Sequence, residues 1–198
     1  MKSFNGHILA AIDFETTGTI PGYHEIVQVG IVPLNDEFRP VAKPFYQYIG
    51  LSHPERVDPR ALQIHQIPLH YLASAPLADR VADFLQEWIE SLKLSVGQKL
   101  VPLAHNWVFE HGFMTAWLGE DLRDKLFHYH ARDAMNFAIT LNDAASLRGR
   151  ERPFKSVSLT NLCQQFNITN EKPHDALSDA QAEADLYHAM LKLCAFAS

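Results

Sequence analysis

Two acidic residues close a short apolar run near the start of the chain, where Ile8 to Ile12 leads into Asp13-Phe14-Glu15-Thr16-Thr17-Gly18. A run this short reads as a buried strand rather than a helix. In an extended backbone, positions i and i+2 share a face, so Asp13 and Glu15 aim at one point. Like charges held together call for a shared proton or a cation, and oxygen-only ligands favour Mg²⁺ or Mn²⁺. Alone, Asp-x-Glu also fits a solvated strand end. Two further carboxylates break their local patterns. Glu110 falls on the apolar stripe of Phe113, Met114, Trp117 and Leu118. A carboxylate there is costly unless paired or metal-bound. In the last helix, the polar face collects Ser178, Gln181, Asp185, His188 and Lys192, whereas Asp179 lines up with Leu186, Met190 and Leu193. Glu183 is likewise off the polar face. His174 lies five residues before Asp179, between Pro173 and Asp175, in a segment expected to be partly exposed and mobile.

The elements that would carry these residues follow from patterning. Gly18 permits a tight turn after the first strand. Glu25–Leu34 is rich in β-branched residues and reads as a second strand, and Arg39–Gly50 as a third. Short loops make these three an antiparallel meander, with Pro33 and Pro44 marking edges or bulges. Pro59–Gln66 reads as a short helix that contains His65. From Leu77, the spacing of Val81, Phe84, Leu85, Trp88 and Leu92 predicts an amphipathic helix with a core-facing stripe. Leu100–Ala104 is a fourth strand, Trp107–Leu118 a helix with Asn106 as its N-cap, and Leu126–Ala131 a fifth strand. Helices are expected from about Asp133 to Leu147, over Ser158–Phe166 and from about Asp175 to Phe196. Three strands, then strands alternating with helices, predict an α/β layered fold with a mixed sheet.

Composition sets the bounds. At 198 residues, with 47% hydrophobic and 20% charged residues, the chain is long enough for a full core. We expect one domain over residues 1–198. The net charge of −6 argues against a phosphate-rich partner, but carboxylates acting as metal ligands would weaken that argument. Cys163 and Cys194 lack metal-ligand spacing and read as small core residues of a reduced compartment. The start at Met1 shows no signal peptide, and no apolar run reaches membrane-spanning length, so no membrane partner is expected. A cytoplasmic location is expected. His128 and His130 alternate as on a strand face, without the further ligand that zinc requires. Arg148–Lys155 is the one basic stretch, read as either a phosphate contact or a solvated loop.

Taken in order, three stretches resemble the motifs of the DnaQ-like (DEDDh) 3′–5′ exonucleases. Asp13-Phe14-Glu15-Thr16-Thr17-Gly18 resembles the first motif, His105 to Phe113 the second, and His174-Asp175-Ala176-Leu177-Ser178-Asp179-Ala180 the third. Ser158-Leu159-Thr160-Asn161-Leu162-Cys163 and Arg132-Asp133-Ala134 resemble intervening stretches. Glu110 departs from the family's Asp, and Gln66 from the Gly of its His-Gly-Ile segment. The resemblance implies an RNase H-like fold with a five-stranded mixed sheet, its first three strands antiparallel, flanked by helices. It implies a metal-dependent exonuclease of proofreading or repair type, releasing nucleoside 5′-monophosphates from the 3′ end of single-stranded DNA. RNA trimming is the alternative substrate, and a non-catalytic nucleic-acid-binding module the alternative class. By the same resemblance, Asp13, Glu15, Asp179 and Glu110 would hold two Mg²⁺ ions, or Mn²⁺ in their place, with His174 as general base. Phe14, Thr16, His65, Asn106 and Phe109 would seat the terminal nucleotide. A homodimer or a DNA polymerase would be the protein partner, and the lack of a long tail after the last helix favours a free-standing enzyme.

Overall fold

Ile8–Thr16 (β1) is the middle strand of the sheet, and its alternation decides what each face carries. Ile26–Leu34 (β2) pairs antiparallel with it, and Phe45–Tyr48 (β3) pairs antiparallel with β2. Leu100–Ala104 (β4) and Arg132–Asp133 (β5) extend the other side in parallel, giving the order β3-β2-β1-β4-β5. The computed structural model describes residues 6–195, so the start at Met1 and the expected helix end at Phe196 lie outside the described residues.

The even positions of β1 (Ile8, Ala10, Ile12 and Phe14) enter one core. Two helices cover that face: Ala78–Ser91 (α3), through Val81, Leu85 and Ile89, and Trp107–Leu126 (α4), through Phe113 and Met114. Leu77, read as the start of the α3 stripe, is exposed just ahead of the helix. Leu9 and Ala11 point to the opposite face, under Ala180 and Ala184 of Ala176–Ala195 (α7). Asp13 and Glu15 continue this odd-numbered row. Ala134–Leu147 (α5) and Leu159–Gln165 (α6) flank α7 through Ala138, Leu162, Leu186 and Met190. Two short helices, Pro59–His65 (α1) and Leu69–Ser74 (α2), fill the connection between β3 and α3.

Several expectations are corrected. The fifth strand is not Leu126–Ala131: α4 continues past a break at Gly119 to Leu126, Phe127 makes a single parallel bridge to Leu100, and the short strand that pairs with β4 is Arg132–Asp133. The third strand shrinks from Arg39–Gly50 to Phe45–Tyr48, the stretch that pairs with Gln28–Ile31. Asn106 does not cap α4, because its backbone is left-handed, with φ 85°, and its side chain makes no cap bond. Asp133 does this instead, accepting from the Trp107 N–H at 3.0 Å while also capping α5 through the Asn136 N–H at 2.9 Å. Gly18 is needed for space rather than for an unusual turn, since a Cβ there would lie 2.4 Å from the His24 ring. Cys163 is buried as expected, but Cys194 is exposed near the end of α7. No described helix is long and apolar enough to cross a membrane.

Candidate active site

Asp13 and Glu15 reach the carboxyl end of β1 on the α7 side of the sheet, and a register shift follows Glu15 at once. There Glu15 pairs with Gln28 and Thr16 with Ile26, so Val27 is an extra residue in β2. Such a bulge bends the ladder and re-aims side chains at its end. The first turn of α7 lies close above. Gly30, opposite Asp13 in the ladder, sits where a Cβ would come 2.3 Å from the Ala176 carbonyl oxygen. Only a glycine lets the helix start approach the strand this closely.

A hydrogen-bond network fixes that helix start. The Gln28 Oε1 accepts from the Ala176 N–H at 2.8 Å. The buried Asp175 carboxylate accepts from the Tyr46 hydroxyl and the Lys172 ammonium, each at 2.7 Å, and caps α7 through the Ser178 N–H at 3.3 Å. The Lys172 and Tyr46 bonds hold its pKa below the ordinary carboxylate value, against its burial. His174, immediately before, is exposed with a left-handed φ of 63°. Its backbone N–H donates to the Asp179 Oδ2 at 3.0 Å, and the Asn170 amide donates to the other oxygen of Asp179.

Glu15, His174 and Asp179 converge, with one ligand atom from each lying within 4.8 Å of the other two. Around them the electrostatics have one sign. Burial, then the neighbouring Asp179 and Asp175 charges, push Glu15 up to about 8. Asp13 keeps some solvent contact at its surface. Enclosure raises its pKa well above the ordinary value, helped by Glu183, Glu15, Glu110 and Asp179. Burial also raises Asp179, Glu110 and Glu183. Glu110 is 3% exposed, as its place on the apolar stripe of α4 requires, and its Oε2 has no partner among the described residues. No lysine or arginine among the described residues pairs with any of these five carboxylates. Crowded carboxylate oxygens with no lysine or arginine partner among the described residues fit a divalent metal ion, held by carboxylate oxygens alone or with an imidazole.

The residues expected to seat substrate fall into two groups. His65 is buried, its Nδ1 accepts from the Ile67 N–H at 3.0 Å, and its Nε2 has no partner among the described residues. The proton therefore sits on Nε2, a donor awaiting an acceptor. Burial and the nearby His174 both lower its pKa. Phe109 is half-buried against Phe113, with Asn106 beside it at the α4 start. Phe14 and Thr16 differ. The Phe14 ring belongs to the core on the opposite face, edge-on to Trp117, and the Thr16 hydroxyl donates to the Gly18 carbonyl at 2.7 Å. His128 and His130 are not on a strand; the His128 ring lies 4.4 Å from that of His7. Arg148, Arg150, Arg152 and Lys155 are exposed in the loop between α5 and α6. The sequence reading did not find Gln28, Tyr46 and Asn170, since no local pattern ties them to the third motif.

The chain matches known proteins over most of its length. The family model described as Exonuclease matches residues 10–187. DNA polymerase III subunit epsilon of Escherichia coli strain K12 is 31% identical over 189 residues, spanning 90% of this chain and 69% of that protein. Among solved structures, E. coli Exonuclease I in complex with a dT13 oligonucleotide superposes with a TM-score of 0.71 at 18% identity. That match covers 96% of this chain and 43% of the other. The nuclease domain of 3′hExo, a DEDDh family member bound to rAMP, superposes with a TM-score of 0.67 at 18% identity, covering 96% and 94%. These two likenesses carry the RNase H-like fold. With acidic residues of the three motifs gathered around the carboxyl end of β1, the sequence matches make the chain a member of the DnaQ-like 3′–5′ exonuclease family.

Proposed function

We propose that this chain removes nucleotides one at a time from the 3′ end of single-stranded DNA, using two Mg²⁺ ions, or Mn²⁺ in their place, held by Asp13, Glu15, Asp179 and Glu110. The observation that carries the reading is the convergence of Glu15, His174 and Asp179 within 4.8 Å beside carboxylates that no lysine or arginine among the described residues pairs with. What bound divalent ions supply in such a site is positive charge against the phosphoryl oxygens and the departing 3′-oxygen. His174 takes a proton from the attacking water as its oxygen bonds to phosphorus. The bond from phosphorus to the penultimate 3′-oxygen breaks, that oxygen gains a proton, and a nucleoside 5′-monophosphate leaves. The bond from the His174 backbone N–H to Asp179 and the anchoring of Asp175 hold the backbone that carries this imidazole beside the carboxylates. The Nε2–H of His65 has no acceptor among the described residues and is offered to a polar atom of the terminal nucleotide. Phe109 provides the half-buried ring for its base.

The dT13 ligand of Exonuclease I supports DNA as substrate, while the rAMP ligand of 3′hExo, a chain matched almost end to end, favours RNA as the second reading. Digestion of DNA and RNA oligonucleotides of one sequence, under Mg²⁺, tests the choice. Faster shortening of DNA is expected; faster shortening of RNA would transfer the reading to exoribonuclease. The epsilon relative's name makes a DNA polymerase the protein partner to test, with a homodimer the other assembly.

A further inference from the structure

Glu183 belongs to none of the three motifs, yet it is the most deeply buried carboxylate of the cluster. It follows Asp179 by four residues on α7, so the two side chains lie one turn apart on one face. Ala180 and Ala184 on the same helix are buried and small, and pack directly on the sheet. Glu183 is 0% exposed, and neither carboxylate oxygen has a hydrogen-bond partner among the described residues. The charge that acts on it most is Glu110, followed by Asp179 and Asp133. In turn, Glu183 is the charge that acts most on Asp13. These charged neighbours place it where α7 meets α4 and β1, and the Glu110 Oε2 likewise has no hydrogen-bond partner among the described residues.

The His105 backbone N–H approaches this carboxyl and offsets part of what burial does to its pKa, but it does not reach hydrogen-bond geometry, and a carboxyl held no better than this is a poor core residue. An apolar side chain of the same size would fill the space without desolvating a polar group. The position makes sense only if something present in the working protein satisfies it. Among the described residues, no lysine or arginine forms an ion pair with Glu183.

We propose that Glu183 is a fifth carboxylate of the metal centre, a positioning residue that stands behind Asp13 and Glu110 and strengthens their hold on the cation. The proposal rests on the metal-dependent reading above. Partners behind the direct ligands orient them and raise their donor strength, and their loss typically weakens metal affinity about 10- to 100-fold. Glu183→Gln keeps the shape and removes the charge, and Glu183→Leu serves if the amide variant does not fold.

The test is calorimetric titration of the full chain with Mn²⁺ and then Mg²⁺, for wild type and both variants. Thermal unfolding in chelator and in excess Mn²⁺ accompanies it. The variants should bind Mn²⁺ about 10- to 100-fold more weakly. In chelator they should melt no lower than wild type, and they should gain less from added Mn²⁺. Variants that fold and bind Mn²⁺ within twofold of wild type would overturn the role of Glu183 while leaving the metal-dependent reading intact. A wild-type chain that binds no divalent cation would overturn both.

Discussion

Replacing Gly30 by alanine perturbs the site through the backbone alone. The added Cβ would lie 2.3 Å from the Ala176 oxygen, 2.4 Å from its carbonyl carbon and 2.6 Å from the Leu177 nitrogen. These are main-chain atoms of the first turn of α7, so no side-chain rotation relieves the contact. Against an ordinary C···O approach of roughly 3.3–3.6 Å, the helix start must retreat by about 1 Å. His174 and Asp179 then move away from Asp13 and Glu15, and the 2.8 Å bond from the Ala176 N–H to Gln28 lengthens with them. Overpacking of this kind costs about 1–3 kcal/mol. At roughly 2–4 °C per kcal/mol for a chain of this size, the melting temperature should fall by about 2–12 °C. A displacement of about 1 Å at reacting groups costs on the order of 100-fold in rate. The assay is the hydrolysis rate of 5′-labelled single-stranded DNA beside thermal unfolding. Leu85→Ala, in the core on the other face, is the control: it should lose comparable stability and keep its rate. A Gly30→Ala protein with wild-type rate would refute the claim that this close approach sets the site geometry.

Three further outcomes are expected. In chelator, stability should fall as pH rises from 6.5 to 8.5, because folded Glu15 holds a proton up to about 8 that the unfolded chain releases near 4.5. The loss from Glu15 alone is on the order of 2 kcal/mol, read by urea unfolding, and a rising curve would contradict the crowding of carboxylates. Below that window the buried His65 and the half-buried His105, with lowered pKa values, act in the opposite sense, so the test belongs above pH 6.5. Tyr46→Phe removes the 2.7 Å bond to Asp175 and should cost about 1.5–3 kcal/mol in urea unfolding, with kcat falling more than KM. Unchanged kcat would separate the Asp175 anchor from the work of His174. Glu110→Gln should weaken Mn²⁺ binding in calorimetric titration while the fold persists, and unchanged affinity would remove Glu110 from the metal centre.

The chemistry was legible in the sequence where it contradicted local patterning. Asp13 and Glu15 share a face because a strand alternates, and Glu110 and Asp179 stand out because each interrupts an apolar helix stripe. The same alternation places Phe14 on the opposite face, in the core with Trp117. Glu183 was visible as an off-pattern residue, but the depth of its burial depends on how closely α7 lies over β1. Cap identity was not legible: Asp133 lies 26 residues from Trp107 and reaches it only once β4 and β5 are paired. Nor was the network under His174, where Tyr46 and Asp175 are 129 residues apart. The fifth strand was misplaced because Leu126 and Phe127 are apolar in either role. Continuation of α4 past Gly119 is decided by packing, with both residues entering the core beside α3.

The most direct test is a time course on a 5′-labelled single-stranded DNA oligonucleotide, comparing wild type with His174→Ala, each in Mg²⁺ and in chelator. A ladder that shortens stepwise from the 3′ end, formed only by wild type and only with Mg²⁺, is the expected result. Immediate release of the label as a mononucleotide, or a His174→Ala ladder as fast as that of wild type, would contradict the assignment of the Asp13, Glu15, Glu110, Asp179 and His174 cluster as a 3′–5′ exonuclease centre.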